Sequence, residues 1–369
     1  MFLWYVPSPH LYDNGERTGA LLSLSGRSES RRGDYAMKAP FPYFGGKSMV
    51  ADEVWARFGD VRNFCEPFFG SGAVLLARPD AHEWWDRIET VNDADGLLAN
   101  FWRATKLDPD AVAEAADHPV TECDLHARHL WLVGRKTDLT ARLMGDPEWF
   151  DAKAAGWWLW GICSWIGSGW CSGDGPWVER DGLMVNSRDG DRPAESDGVK
   201  RQLPHLGDAG RGQCAEWSAH TRQTMRDLAD RLRRVRVCCG DWSRICGPTP
   251  TVKQGLTAVV LDPPYSVADR AEVYSTDSFR VAGDVRVWAL AHGDDPRMRI
   301  CLAGYDGEHD MPGWTVVEWK ARGGYESQSD DPSGNCRRER LWFSPHCLRI
   351  DAPRQGTLFD AMTEEEPAR

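Results

Sequence analysis

Leu256-Thr257-Ala258-Val259-Val260-Leu261-Asp262-Pro263-Pro264-Tyr265 is the stretch that decides the fold. Its first six residues form a strongly apolar run, and an acid followed by two prolines ends it. Such a run reads as a strand buried on both faces, the kind that parallel sheets contain. Working outward, the same alternation of strand and helix recurs. Upstream, residues 62–67 read as a strand, followed by a glycine turn and a helix over 73–78. Residues 88–91 form a second strand, followed by Asn92-Asp93 and a helix over 97–105. Helical periodicity then dominates to about residue 165. Residues 166–215 are rich in Gly, Asp, Ser and Arg and read as irregular. A helix over 219–234 carries the apolar stripe Met225, Leu228, Leu232 and Val235, and runs into a short strand at 235–239. Downstream come a helix at 285–291, a strand at 298–302, and a closing antiparallel pair at 315–319 and 340–343. Strands that alternate with helices imply an α/β fold with a doubly wound parallel sheet.

The chain has 369 residues, of which 41% are hydrophobic and 27% charged, enough for a substantial core. No run approaches the roughly 18 apolar residues of a membrane span. Residues 1–6 are apolar but lack a basic flank, and Pro7 and Pro9 follow, so no signal peptide is read there. The 11 cysteines include no C-x-x-C pair. That usage fits the reduced thiols of a cytoplasm, and no Cys/His cluster has the spacing of a metal site. The net charge of −12 argues against a generic nucleic-acid binder, but it is unevenly spread. Arg222, Arg226, Arg231, Arg233, Arg234 and Arg236 lie close together. They suit either a basic cleft or a solvated helix face. Residues 1–36 are polar and aperiodic, and are expected to be disordered. One reading makes Met37 the native start.

Three further segments carry candidate chemistry. Glu66-Pro67-Phe68-Phe69-Gly70-Ser71-Gly72 follows a strand and precedes a helix. Its glycines let backbone approach a ligand closely at a strand's carboxyl end. It is not the dinucleotide fingerprint, because Leu75 stands at the third glycine position. Asp93 lies just past the second strand. There it suits both the two hydroxyls of a ribose and the N-cap of the next helix. Gly45-Gly46-Lys47-Ser48 is not a P-loop, because Phe41 occupies the position of the required first glycine. In Asp262-Pro263-Pro264-Tyr265 the prolines stiffen the turn and aim the Asp262 carboxylate and the Pro263 carbonyl into the cleft. Those two acceptors match the two N–H donors of an exocyclic amine, and Tyr265 offers a face on which a base can stack.

These residues together resemble the D12 class of DNA N6-adenine methyltransferases, the group that includes GATC-type adenine methylases. The resemblance covers residues 38–105 and 235–345. It implies a Rossmann-like methyltransferase sheet with an inserted, mainly helical and irregular target-recognition region. Pro42-Tyr43-Phe44-Gly45-Gly46-Lys47 looks like the family's N-terminal motif, so Tyr43, Gly45, Gly46 and Lys47 are expected at the cofactor's methionine end. Glu66, Phe68, Gly70 and Gly72 match the cofactor loop, and Asp93 the ribose-binding acid. Asp241, in Gly240-Asp241-Trp242, resembles the acid that contacts the cofactor adenine. Asp262, Pro263, Pro264 and Tyr265 match the catalytic motif, and Glu339-Arg340-Leu341-Trp342 the terminal strand motif. The implied cofactor is S-adenosyl-L-methionine, the implied substrate a flipped-out adenine of double-stranded DNA, and no metal is required. A cytosine-C5 mechanism would need a Cys nucleophile within Pro-Cys, and the sequence has no such dipeptide. Cytosine N4, RNA adenine and a protein glutamine amide are alternative substrates, and a catalytically inactive DNA-binding protein is an alternative class.

On this reading residues 37–105 and 235–350 form the catalytic domain, and 106–234 supply target recognition. Trp157, Trp158, Trp160, Trp165 and Trp170 crowd that insert. The first three read as core. Trp170 is a candidate DNA contact, with Arg188, Lys200 and Arg201 for phosphates. The acidic tail, 351–369, is expected to be disordered. It holds Gln355-Gly356-Thr357-Leu358-Phe359, which resembles the peptide that docks in the bacterial sliding clamp; Gln355, Leu358 and Phe359 would be its anchors. The sequence leaves open whether the enzyme serves a restriction–modification pair or acts alone, as in a phage.

Overall fold

The structure is a computed structural model that describes residues 37–43, 45–79, 86–165, 170–171, 177–180, 183–186, 215–264, 280–319 and 339–350, with backbone alone for 172–218 where described. The elements in chain order are α1 (Ala51–Phe58), β1 (Asn63–Glu66), α2 (Ala73–Leu76), β2 (Ile88–Asp93), α3 (Gly96–Leu107), α4 (Pro109–Ala116), α5 (Glu122–Gly145) and α6 (Ala152–Ser164). There follow β3 (Trp177–Arg180), β4 (Leu183–Asn186), α7 (Ala215–Leu232), β5 (Val235–Cys239), β6 (Thr257–Leu261), α8 (Val281–His292), β7 (Met298–Tyr305), β8 (Thr315–Glu318) and β9 (Glu339–Phe343).

The main sheet has seven strands in the order β5-β2-β1-β6-β7-β9-β8. The first five run parallel, and β9 pairs antiparallel with both β7 and β8. The fold is therefore α/β with a mixed, mostly parallel sheet, as a Rossmann-like methyltransferase requires. All of β1 and β6 are buried, which is why Thr257–Leu261 has no polar face. β8 at the edge is largely exposed. Two apolar layers flank the sheet. One holds Phe41, Trp55, Phe58, Phe101, Trp102, Trp158 and Trp160. The other gathers Val259, Leu261, Val285, Ala289, Met298 and Ile300.

α3 is the spine between the sheet and the helices that follow. Phe101, Trp102 and Ala104 are fully buried. Asn100 grips the α5–α6 connection, donating to the Asp151 carbonyl and accepting from its N–H (2.8 and 2.9 Å). Arg103 donates to the carbonyls of Asp146 and Trp149 (3.1 Å each). Trp158 and Trp160 are core, while Trp157 is half-buried beneath Lys153 and Arg128.

Three differences from the sequence reading have physical causes. Residues 166–215 are not wholly irregular: β3 and β4 pair antiparallel, with Arg180 opposite Leu183. Asp181-Gly182 stands between them, a dipeptide favoured in two-residue hairpin connections. The cap of α3 is Asp95, which accepts from the Leu97 N–H at 2.8 Å, so Asp93 is left for other partners. The arginine run is divided: Arg231 is committed to the buried Glu89, while Arg226 with Asp110 and Arg233 with Asp230 form exposed pairs on a solvated helix face. Arg188, Lys200, Arg201 and the tail residues Gln355, Leu358 and Phe359 lie outside the described residues, as do Phe44, Tyr265 and the N-terminal 36 residues. Among the described residues no helix is long and apolar enough to cross a membrane, and no group of three His, Cys, Asp or Glu side chains could hold a metal ion.

Candidate active site

Parallel pairing places four loops at one edge of the sheet. β1 lies between β2 and β6, in register Asn63↔Ile88 and Asn63↔Thr257. The loop after β1 (Glu66 to Gly72) and the turn after β6 (Asp262 onward) therefore leave adjacent strands on the same side. The connections after β2 and β5 leave there too, since Asp93 pairs with Cys239. This is where open α/β sheets bind ligands. Asn92 ties these loops together: its side-chain amide donates to the Pro67 and Gly240 carbonyls at 3.1 and 2.9 Å. Sequence reading missed Asn92, although its place at a strand's carboxyl end was the available signal.

The glycine loop is shaped by its neighbours. Gly70 and Gly72 have φ of 49° and 68°, the left-handed region that favours glycine. A Cβ on Gly70 would lie 2.7 Å from the Tyr43 ring, so Tyr43 rests directly on the loop. Trp102 donates to the Gly70 carbonyl at 3.1 Å from beneath. Phe68 stacks on Trp242 with ring centroids 6.2 Å apart. Asp241 is exposed and caps the short turn after β5, accepting from Ser243 N–H and Oγ at 3.0 and 2.5 Å.

Asp93 faces the glycine loop. One carboxylate oxygen accepts from the Gly70 N–H and the other from the Asp95 N–H, each at 3.0 Å. Burial pushes its carboxyl up to about 6, against the pull of those two N–H groups. Glu66 at the end of β1 is buried too. Burial and the nearby Asp262 carboxylate raise its carboxyl well above the usual range, and its Oε2 has no hydrogen-bond partner among the described residues. An orphaned polar atom in such a place fits a bound polar ligand.

Lys47 connects the two halves of the site. It is 5% exposed and its ammonium lies 2.8 Å from Asp262 Oδ2 and 2.6 Å from the Gly45 carbonyl. Burial alone would lower its pKa; the carboxylates of Asp262 and Glu339 outweigh that and raise it. The sequence pointed to Lys47 and Asp262 separately. Their pairing across 215 residues is a product of topology. Pro263 is buried and Pro264 half-buried beside them. Trp170 stands apart from this group, packed between Trp165 and His129 with its indole N–H on the Trp158 carbonyl (3.1 Å).

A mostly parallel seven-stranded sheet with these loops at its carboxyl edge is a methyltransferase-type Rossmann-like fold. Residues 43–128 match the model of the D12 class N6 adenine-specific DNA methyltransferase family. The matched segment contains Tyr43, Lys47, the glycine loop and Asp93, and ends before Asp262. No curated protein matches the chain.

Proposed function

We propose that this protein transfers methyl groups from S-adenosylmethionine to the N6 of adenine in double-stranded DNA, with Asp262 as the acceptor that orients the amine. The observation that carries the reading is the joining of Asp262 to the glycine-loop pocket through Lys47, within a fold whose family acts on DNA adenine. A nitrogen bearing N–H donors already rests on this carboxylate at 2.8 Å, which supports its use for an exocyclic amine.

The residues present fit the cofactor. Asp93 has an acid's two acceptor oxygens at the loop. Gly70 and Gly72 let the loop turn tightly at positive φ, with Tyr43 and Phe69 packed where a Cβ would stand. Glu66 supplies an unsatisfied polar atom. Bound there, S-adenosylmethionine supplies a methyl group activated on a sulfonium. Asp262 and the Pro263 carbonyl take the two N–H donors of the amine, which frees the nitrogen lone pair. Lys47 yields its place on Asp262 to that amine. Tyr265 stacks on the base, which is extruded from the duplex. Positioning does most of the work because the leaving group is a neutral thioether, and the amine gives up one N–H proton at the Asp262 carboxylate as the N–CH3 bond forms. Residues 106–234, with Arg188, Lys200 and Arg201, supply the DNA contacts, and Trp170, packed against Trp165 and His129, supports that region. Clamp docking rests on the pentapeptide at 355–359 alone.

Two measurements test this reading. Expression in a methylation-free host, read by single-molecule sequencing, is expected to show N6-methyladenine in one sequence context. Methylated cytosine alone, or no modified base, would overturn it. The Asp93 carboxyl supplies a pH signature. With its pKa near about 6 in the free protein, a proton must leave before ribose hydroxyls can use both oxygens. Affinity for S-adenosylhomocysteine is therefore expected to be level above pH 6 and to fall about tenfold per unit below it. Asp93→Asn should bind weakly and without that step. Calorimetric affinity unchanged from pH 7.5 to 5 would remove Asp93 from the site.

A further inference from the structure

Lys136 of α5 sits where the cofactor side of the site meets the chain beyond α6. Its ammonium lies 3.2 Å from the Asp95 carboxylate and 3.4 Å from the Cys171 carbonyl. On one side Asp95 leads straight to the pocket. Its N–H donates to Asp93, whose other oxygen holds the Gly70 N–H. Its own carboxylate also caps α3. On the other side stands Cys171. Its φ of 54° makes it the one non-glycine residue with left-handed backbone among those described. Such a conformation persists only where the surroundings impose it. Here Lys136 takes the carbonyl, and the N–H donates to His129 Nδ1 at 3.4 Å. The thiol is buried. His129 is itself fixed by stacking on Trp165, with centroids 4.9 Å apart and planes 13° from parallel.

A continuous set of contacts thus runs from Gly70 through Asp93, Asp95 and Lys136 to a strained residue just before β3. We propose that Lys136 is a positioning residue: it ties the acid of the cofactor pocket to the turn at Cys171, so that filling the pocket and fixing that turn are linked. This rests on the methyltransferase reading, since the ligand that fills the pocket is the cofactor. The physical basis is one ammonium shared by two acceptors. A ligand that holds Asp93 holds Asp95, and a held Asp95 keeps Lys136 within reach of the Cys171 carbonyl. Linkage is reciprocal, so loosening the turn must weaken the ligand by the factor by which the ligand tightens the turn. Lys136 and this turn both lie within residues 106–234, the region expected to contact DNA, and the coupling prepares it when cofactor is present.

The test uses the full chain and S-adenosylhomocysteine. Alkylation of Cys171 by iodoacetamide, quantified by mass spectrometry, reports the turn; calorimetry reports the pocket. In the wild type, bound S-adenosylhomocysteine is expected to slow Cys171 alkylation about fivefold, a modest coupling. In Lys136→Met that protection is expected to vanish and affinity to fall by a similar factor. Lys136→Arg, which keeps the charge, is expected to restore both. A general loss of packing would not respond to ligand or be rescued by charge. Wild-type protein that binds S-adenosylhomocysteine yet alkylates at its ligand-free rate would overturn the coupling, as would full protection in Lys136→Met. Wild-type protein that does not bind S-adenosylhomocysteine would instead sink the methyltransferase reading, and this inference with it.

Discussion

Asp262→Ala is expected to lower methyl transfer by about 10²–10³-fold, the scale of losing a preorganised group aimed at the reacting centre, while S-adenosylhomocysteine still binds. The separation follows from where the groups sit. Cofactor contacts are expected from the segment at 43–47 and the loops after β1, β2 and β5, whereas Asp262 follows β6 and touches that set only through Lys47. Removing the carboxylate also strips Lys47 of an ion-pair partner in a buried setting. Breaking such a pair costs about 3–5 kcal/mol when the survivor is left buried and charged. Asp262→Asn, which retains an acceptor oxygen and nearly the same volume, separates the two effects: it should melt closer to the wild type and still lose most activity. Turnover equal to the wild type in either folded variant would return Asp262 to a structural role.

The second large effect concerns stability and lies at the opposite end of β2. Glu89 is buried between two arginines. Arg78 Nη1 lies 3.0 Å from one of its oxygens, and Arg231 meets both at 2.7 and 2.9 Å. Both arginines also reach backbone, Arg78 the Val61 carbonyl and Arg231 the Leu75 carbonyl. The network ties α7, α2 and the first turn of the sheet together. Glu89→Ala would leave two guanidinium groups sharing a buried space, with an expected loss of about 3–5 kcal/mol in denaturant unfolding. The pH dependence has a defined sign. Burial would raise the Glu89 carboxyl, but the hydrogen bonds and charge of Arg231 and Arg78 hold it below 4.5. A depressed carboxyl contributes stability that is complete above its unfolded value of 4.5 and is lost as pH falls through the folded value. The stability difference between wild type and Glu89→Gln is therefore expected to be level above pH 5 and to shrink below 4.5. Subtracting the variant removes the opposite contribution of Asp93, whose raised pKa makes it costlier as pH rises from 3.8 through about 6. A difference that stays constant down to pH 3 would show that the charge of Glu89 contributes nothing.

What the sequence revealed, and what it hid, divide along the range of the interactions involved. β6 was legible because a strand buried on both faces has nothing but apolar residues to show, and its proline turn marks the end. β9 and the stripe of Met225, Leu228 and Leu232 were legible for the same reason, since all are buried, whereas β8 is largely exposed. The glycine loop was legible from its two glycines, which the structure places at positive φ. The hairpin β3–β4 was hidden by its polar surroundings, although Asp181-Gly182 marked it. Long-range pairing was not legible at all. Nothing in Gly46-Lys47-Ser48 says that its lysine rests on an aspartate 215 residues away. Nothing in the arginine run names Glu89 or Asp110 as partners. The choice of helix cap was also local but ambiguous: Asn92, Asp93 and Asp95 all qualify by type. Only the geometry gives the cap to Asp95 and turns Asp93 toward Gly70.

The most direct test of the central claim is a crystal structure of the full chain with S-adenosylhomocysteine. The ribose hydroxyls are expected on Asp93, and the thioether sulfur beside the glycine loop, facing the Asp262 carboxylate. A ligand seated with its sulfur turned away from Asp262, or bound at another edge of the sheet, would contradict the account.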